Sequence, residues 1–194
     1  LIPFYLVGCI PSAQLIARWY GKDITTLGSG NPGAANVLRN VGVTPGVLTL
    51  LLDAGKGALA ALLAFLLSRD LACAAWGGSA AVIGHCYPVI DLVRGKFTRG
   101  GKGVATSAGV LFLTEPTVGV LSVATFTIAV MVSRISSVGS LLAALSMPGF
   151  ALLLSVESGV FRAYVVMSLL VVLRHRANIS RLLVGREPKL TQKE

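Results

Sequence analysis

Seven apolar stretches set the terms for this chain: residues 1–17, 45–68, 71–90, 104–114, 117–133, 138–156 and 158–173. Only short connections separate most of them, so little sequence remains to build anything else. A membrane-crossing helix needs about 20 mostly apolar residues, and several of these stretches approach that length. Composition agrees. Hydrophobic residues make up 54% and charged residues 13%, with a mean hydropathy of +0.79, whereas about a quarter of an ordinary globular domain is charged. The expected fold is all-α: one polytopic membrane domain over residues 1–194, with seven transmembrane helices. The first stretch does not read as a cleaved signal peptide, because no basic residue precedes it and Pro3 and Pro11 interrupt it.

Charge fixes the expected orientation. One set of connections carries Arg18, Lys22, Arg39, four basic residues in 94–102, Arg134 and six after residue 173, fourteen against four acids, a net +10. The other set carries Arg69 and Arg162 against Asp70, Glu115 and Glu157, a net −1. Asp53 and Lys56 cancel inside a span. Basic residues flank the cytoplasmic ends of spans, so the amino terminus is expected outside and the carboxyl terminus in the cytoplasm. The three cysteines, Cys9, Cys73 and Cys86, all fall in apolar runs. That odd count argues against a disulfide framework, and no second Cys/His pair accompanies His85 and Cys86, so no metal site is expected.

The outer connections barely turn the chain, whereas the inner ones hold the unusual residues. The first inner segment is G-S-G-N-P-G-A-A-N-V-L-R-N, residues 28–40. Its glycines let backbone N–H groups come close to a ligand. Asn31-Pro32 marks a turn, and residues 34–39 can open a short helix whose N-terminus suits an anion. Ser29 and Asn31 offer hydrogen bonds, and Arg39 a planar fork for phosphate.

The second segment is R-G-G-K-G-V-A-T-S, residues 99–107, preceded by G-H-C-Y-P at 84–88. A Walker loop requires G-x-x-x-x-G-K-[ST]. Gly95 and Gly100 have that separation, but Gly101 occupies the lysine position and Gly103 follows Lys102. Nucleotide hydrolysis is therefore rejected, and what remains is an anion nest with Lys102 as its counter-charge. The next apolar run holds about ten residues, which at about 1.5 Å each cover about half of a hydrocarbon core roughly 30 Å thick. A short fourth span, recessed behind its glycine loop, follows from that length. Irregular backbone at such depth is tolerated where it lines a polar cavity.

The third segment is R-H-R-A-N-I-S-R-L-L-V-G-R-E, residues 174–187, where the last span ends. Its arginines suit anionic lipid headgroups, but that role does not call for His175 or Asn178, which stand three apart on one helix face. The short loop at residues 134–137 adds Ser137 on the same side. Asp53 and Lys56, three apart within the second span, are expected to pair and face a polar interior, either bracing the cavity or touching substrate.

Together, S-G-N-P-G-A-A-N-V-L-R, G-H-C-Y-P with G-G-K-G-V-A-T, and H-R-A-N-I-S-R-L-L-V-G-R-E resemble the bacterial acyl-phosphate:glycerol-3-phosphate acyltransferase family. The resemblance covers nearly the whole chain, with three motifs in order. The loop from Pro88 to Gly100 is longer than the family pattern, with two residues between Phe97 and Gly100. The resemblance implies transfer of an acyl group from acyl phosphate to the sn-1 hydroxyl of glycerol 3-phosphate, giving lysophosphatidic acid and phosphate. It implies the bacterial inner membrane as location, with the site on the cytoplasmic side. By resemblance, Gly100, Gly101, Lys102 and Gly103 hold the phosphate of glycerol 3-phosphate, with Asn31 and Thr106 also binding substrate. Ser29 and Arg39 stand at the donor's phosphate, Ser137 and Asn178 complete that pocket, and His175 orients the attacking hydroxyl or receives its proton.

No histidine is followed by an aspartate at the separation many acyltransferases use. Five residues lie between His85 and Asp91, and Ser180 stands where His175 would need the acid. An acyl phosphate is already an activated anhydride, so positioning and charge stabilisation are expected to dominate. A phosphate oxygen of the donor is then one candidate proton acceptor and His175 the other. No cofactor, nucleic acid or obligate protein partner is implied; the expected partners are acyl phosphate, glycerol 3-phosphate and membrane lipid. A transporter or channel for a phosphate-type anion is the rival reading, but it calls for an inverted repeat and outward-facing polar residues, and the sequence has neither.

Overall fold

A computed structural model of the chain describes residues 1–93 and 100–190. Residues 94–99 of the lengthened loop, with Gly95 and Phe97, lie outside them. Among the described residues the secondary structure is entirely helical: α1 (Ile2–Gly8), α2 (Ser12–Trp19), a 3-10 turn at Ile24–Thr26, α3 (Ala34–Asn40), α4 (Val43–Ser68), α5 (Leu71–Cys86), α6 (Val89–Val93), α7 (Val104–Thr114), α8 (Pro116–Ser133), α9 (Ser136–Leu153), α10 (Ser158–Arg174) and α11 (Arg176–Leu183).

Three helices, α4, α8 and α9, are long and apolar enough to cross a membrane alone, and α10 with α11 makes a fourth candidate bent by 56°. The apolar α5 and α7 are shorter. The first stretch is not one continuous helix: it breaks between α1 and α2, where Pro11 precedes Ser12. Proline cannot donate into a helical ladder, so a helix readily starts beside it and is weakened by it in mid-run. The eleven-residue α7 matches the short run expected after the glycine loop.

Burial is inverted relative to a water-soluble domain. Leucines and valines such as Leu67, Val132 and Leu153 are more than four-fifths exposed, while Asp53, Lys56, His85, Ser137, His175 and Asn178 are buried. Lipid is as apolar as leucine, so close packing of small residues holds membrane helices together. In α5 the buried face is mostly alanine, glycine and serine. The apolar core runs through Ala61, Ala75, Val82, Val110, Met147, Tyr164 and Met167. Tyr164 reaches Thr114 across α10 and α7, with their hydroxyl oxygens 2.6 Å apart.

Local signals end these elements. Asp70 caps α5 by accepting from the Cys73 N–H at 2.7 Å, and Glu157 caps α10 through Gly159 and Val160. The chain reverses between α8 and α9 at Arg134, which takes a left-handed conformation (φ 61°).

Candidate active site

The glycine loop is gripped from two sides. Arg174, at the end of α10, donates from Nη2 to the Gly100 carbonyl at 2.6 Å and from Nε to the Gly101 carbonyl at 3.0 Å. Its guanidinium lies over the Tyr87 ring, 5.0 Å from the centroid. From the opposite side, the Gly101 N–H donates to the His85 carbonyl at 3.0 Å. A Cβ on Gly100 would run into the Cys86 carbonyl group, and one on Gly101 into the His85 imidazole. Gly103 has φ 86°, a left-handed conformation that admits glycine readily. α7 starts at the next residue, and the first N–H groups of a helix have no intrahelical acceptor.

Lys102 leads from this loop into a cluster of charge. Burial pushes its ammonium pKa down to about 8, and Arg181, Arg39 and Arg174 push the same way against the opposing pull of Glu187. Those four side chains, on α3, α10, α11 and in the tail, lie within electrostatic reach of Lys102.

Glu187 organises the second half of the site. Its Oε1 accepts from Ser137 at 2.8 Å and from the Asn178 amide, and its Oε2 accepts from Arg181 Nε at 2.7 Å. Burial pushes the Glu187 pKa up, but these three donors outweigh it and hold the carboxyl below its ordinary value. Ser137 on α9 and Asn178 on α11 are thereby joined through one carboxylate oxygen.

His175 sits at the 56° bend between α10 and α11. Its Nδ1 lies 2.8 Å from the Val171 carbonyl. A carbonyl can only accept, so Nδ1 carries the ring proton. Burial, then the nearby Lys102 charge, lowers the pKa to about 4. The sequence alone suggests a histidine titrating near neutrality; burial beside a cation instead keeps this one neutral.

Ser29 and Asn31 sit on the turn before α3. The Asn31 N–H points to the Ser29 hydroxyl at 3.5 Å. Arg39 occupies the last turn of α3, half-buried and within electrostatic reach of Lys102. Thr106 is fully buried in the first turn of α7, and its hydroxyl has no hydrogen-bond partner among the described residues. Asp53 and Lys56 pair at 2.8 Å, as their spacing implies. Sequence reasoning misses Arg174, Arg181 and Glu187, which read as topology charges, and His85, whose link to Lys56 spans 29 residues. Among the described residues, no group of three His, Cys, Asp or Glu side chains could share a metal ion.

This architecture is not isolated. The sequence pattern of the family described as glycerol-3-phosphate acyltransferase matches residues 1–185. The chain belongs to the glycerol-3-phosphate acyltransferase family. A relative of that name from Pseudomonas paraeruginosa (strain DSM 24068 / PA7) is 44% identical over 185 residues, covering 94% of each chain. Among solved structures, PlsY (YgiH), an integral membrane glycerol 3-phosphate acyltransferase, superposes in its glycerol 3-phosphate form with a TM-score of 0.89 at 38% identity, covering 97% of this chain and 92% of that one. Its lysophosphatidic acid form gives a TM-score of 0.86 at 36% identity, covering 96% and 91%. At that likeness the fold is that of an integral membrane enzyme, which accounts for the exposed leucines and buried charges.

Proposed function

We propose that the protein transfers a fatty acyl group from acyl phosphate to the sn-1 hydroxyl of glycerol 3-phosphate, releasing lysophosphatidic acid and phosphate. One observation carries this reading beyond family membership. The glycine loop and a cluster of hydrogen-bond donors gathered on the Glu187 carboxylate both come within electrostatic reach of Lys102. Two phosphate-bearing reactants need such a pair of sites, and one of them has a tail that must stay in lipid.

In this reading residues 100–103 hold the phosphate of glycerol 3-phosphate, with Asn31 and Thr106 completing the cradle. Ser29, Arg39, Ser137 and Asn178 surround the phosphate of the donor, where negative charge grows as the carbonyl–oxygen bond breaks. The hydroxyl attacks the acyl carbon, and phosphate leaves with the electrons of that bond. Lys102 stands between the two anions and lowers their mutual repulsion. His175, neutral and with Nδ1 committed to Val171, has only Nε2 left to orient the hydroxyl. The proton goes to the departing phosphate, a stronger base than an imidazole whose pKa is about 4.

The remaining assignments form part of the same proposal: one membrane domain, seven spans, amino terminus outside, carboxyl terminus and active site facing the cytoplasm of a bacterial inner membrane. The +10 to −1 imbalance between the two sides supports that orientation.

Purified protein given acyl phosphate and glycerol 3-phosphate is expected to yield lysophosphatidic acid and inorganic phosphate in equal amounts. Acyl thioester offered in place of acyl phosphate is expected to give none. Turnover with thioester alone would overturn the donor assignment. For orientation, a single cysteine at Lys189 in a variant lacking Cys9, Cys73 and Cys86 is expected to escape an impermeant thiol reagent in intact cells. Labelling there would reverse the topology.

A further inference from the structure

Three buried ionisable side chains lie against the glycine loop, and the transfer just described uses none of them. Asp53 and Lys56 stand one turn apart on α4, paired at 2.8 Å. The same ammonium meets Nδ1 of His85 at 2.8 Å and donates to the Ile10 carbonyl at 3.0 Å. Their exposures are 2%, 6% and 8%. Burying an ion pair costs several kcal/mol per ion before the attraction is counted, so such a group inside a membrane protein calls for an explanation.

The chemistry of the contacts gives one. An ammonium has no lone pair, so Nδ1 of His85 must accept from Lys56, leaving the ring proton on Nε2. Lys56 thus selects one tautomer and one ring orientation, and Asp53 with the Ile10 carbonyl holds Lys56 where it does so. The ring presses its Nε2 edge against Gly101: a Cβ there would meet Nε2, then the two adjoining ring carbons. The backbone of His85 takes the Gly101 N–H as well. Arg174 fixes the loop by its carbonyls from the far side, and the imidazole limits how deep the loop can settle.

We propose that Asp53, Lys56 and His85 are positioning residues for the phosphate cradle, acting in series: Asp53 on Lys56, Lys56 on His85, and His85 on Gly101. The inference rests on reading residues 100–103 as the site for glycerol 3-phosphate. None of the three touches substrate. They set the height of Gly101 and so the direction in which the loop's other N–H groups point. An apolar filler could occupy the same space, but directional bonds hold a ring at one angle, which a site made of backbone requires. If the trio merely braced α1, α4 and α5 together, its loss would reduce stability and affect both substrates alike.

A double-mutant cycle on the full chain tests this, with initial rates measured for each substrate in turn and melting temperature recorded for every variant. Gly101→Ala drives a methyl group into the imidazole; His85→Ala removes the support; combined, the methyl has room. Each single change is expected to raise KM for glycerol 3-phosphate on the order of tenfold, with kcat and the KM for acyl phosphate within about threefold of wild type. The double variant is expected to have a KM at least about fivefold below the product of the two effects. The charge-neutral pair Asp53→Asn with Lys56→Met frees the ring and is expected to reproduce the His85→Ala shift. Effects that simply multiply, or that fall equally on both substrates, overturn the proposal. Should His85→Ala not survive extraction, His85→Asn keeps an acceptor for Lys56 but lacks the edge that meets Gly101, and it is expected to relieve Gly101→Ala in the same way. A Gly101→Ala enzyme with normal KM for glycerol 3-phosphate would bring down the cradle reading and this inference with it. A raised KM with no coupling to residue 85 would bring down the inference alone.

Discussion

Around residues 100–103 the site is made of backbone: two carbonyls are taken by Arg174, one N–H by His85, and the start of α7 supplies further N–H groups. Around Glu187 it is made of side chains, with Ser137, Asn178 and Arg181 gathered on one carboxylate. A backbone cradle tolerates no bulk but is indifferent to side-chain chemistry, apart from its single lysine. The side-chain pocket is the reverse, because each donor can be altered alone and each has its own geometry. Binding faults are therefore expected to collect at the glycines, and faults in chemistry at the pocket.

The sharpest break in that comparison is Gly100→Ala. Its methyl group would collide with the Cys86 carbonyl, which belongs to α5 and cannot swing away as the His85 side chain can. The loop must shift instead. We expect kcat/KM for glycerol 3-phosphate to fall on the order of a thousandfold, about 4 kcal/mol, mostly through KM. Gly101→Ala, facing a side chain, should be clearly milder. Equal losses at the two positions would mean that the loop is not held against α5 as described.

Arg39→Lys comes next, on the pocket side. It preserves the charge and discards the bidentate fork. If Arg39 stabilises the departing phosphate, the loss is about 2–4 kcal/mol of transition-state stabilisation, the range for one preorganised donor. It should appear in kcat with both substrates saturating. A pure KM defect would move Arg39 from the chemical step to ground-state binding.

The same division governs how much the sequence reveals. α3 and α7 are legible because their signals are local: a glycine before each first residue, an Asn-Pro turn, and a run too short to span. The Asp53–Lys56 pair is legible for the same reason, being three apart on one helix. What stays hidden is set by tertiary distance. Glu187 meets Ser137 across fifty residues, and in the sequence it is one more charge on a basic tail. His85 resembles a lone histidine beside a cysteine until α4 brings Lys56 to it. The break at residues 9–11 lies between these cases. Pro11 is plain to see and starts α2, but the apolar run from 1 to 17 does not show that α2 packs through Ala13 and Ala17 against Ile24 and Val37.

Glu187→Gln probes the junction of the two regions. It keeps an acceptor for Ser137 and Asn178 but removes the charge that Arg181 faces at 2.7 Å. Losing a charged hydrogen bond costs about 1.5–3 kcal/mol of stability, visible as a lower melting temperature. The carboxyl pKa is lowered in the fold, so its contribution is present above the ordinary carboxylate range and is lost as pH falls through the folded value. The stability gap between variant and wild type should therefore close in acid. Glu187 also favours the charged form of Lys102, so the variant's lysine should deprotonate at lower pH than in wild type.

The smallest effect belongs to the wild-type protein and needs only buffer. Lys102 is the one charge within the backbone cradle, and burial places its pKa at about 8. As pH rises through that value the cradle loses its cation, and KM for glycerol 3-phosphate should climb by up to about tenfold per unit while kcat changes less. Lys102→Arg, which stays charged, should remove that alkaline limb even if it binds less well. On the acid side, His175 is neutral down to about pH 4, so no histidine limb is expected between pH 5.5 and 7. The substrates' own phosphates titrate near pH 6, and any limb they cause must persist in His175→Ala. A limb present in wild type and absent only from His175→Ala would make His175 the base and reverse the substrate-assisted step.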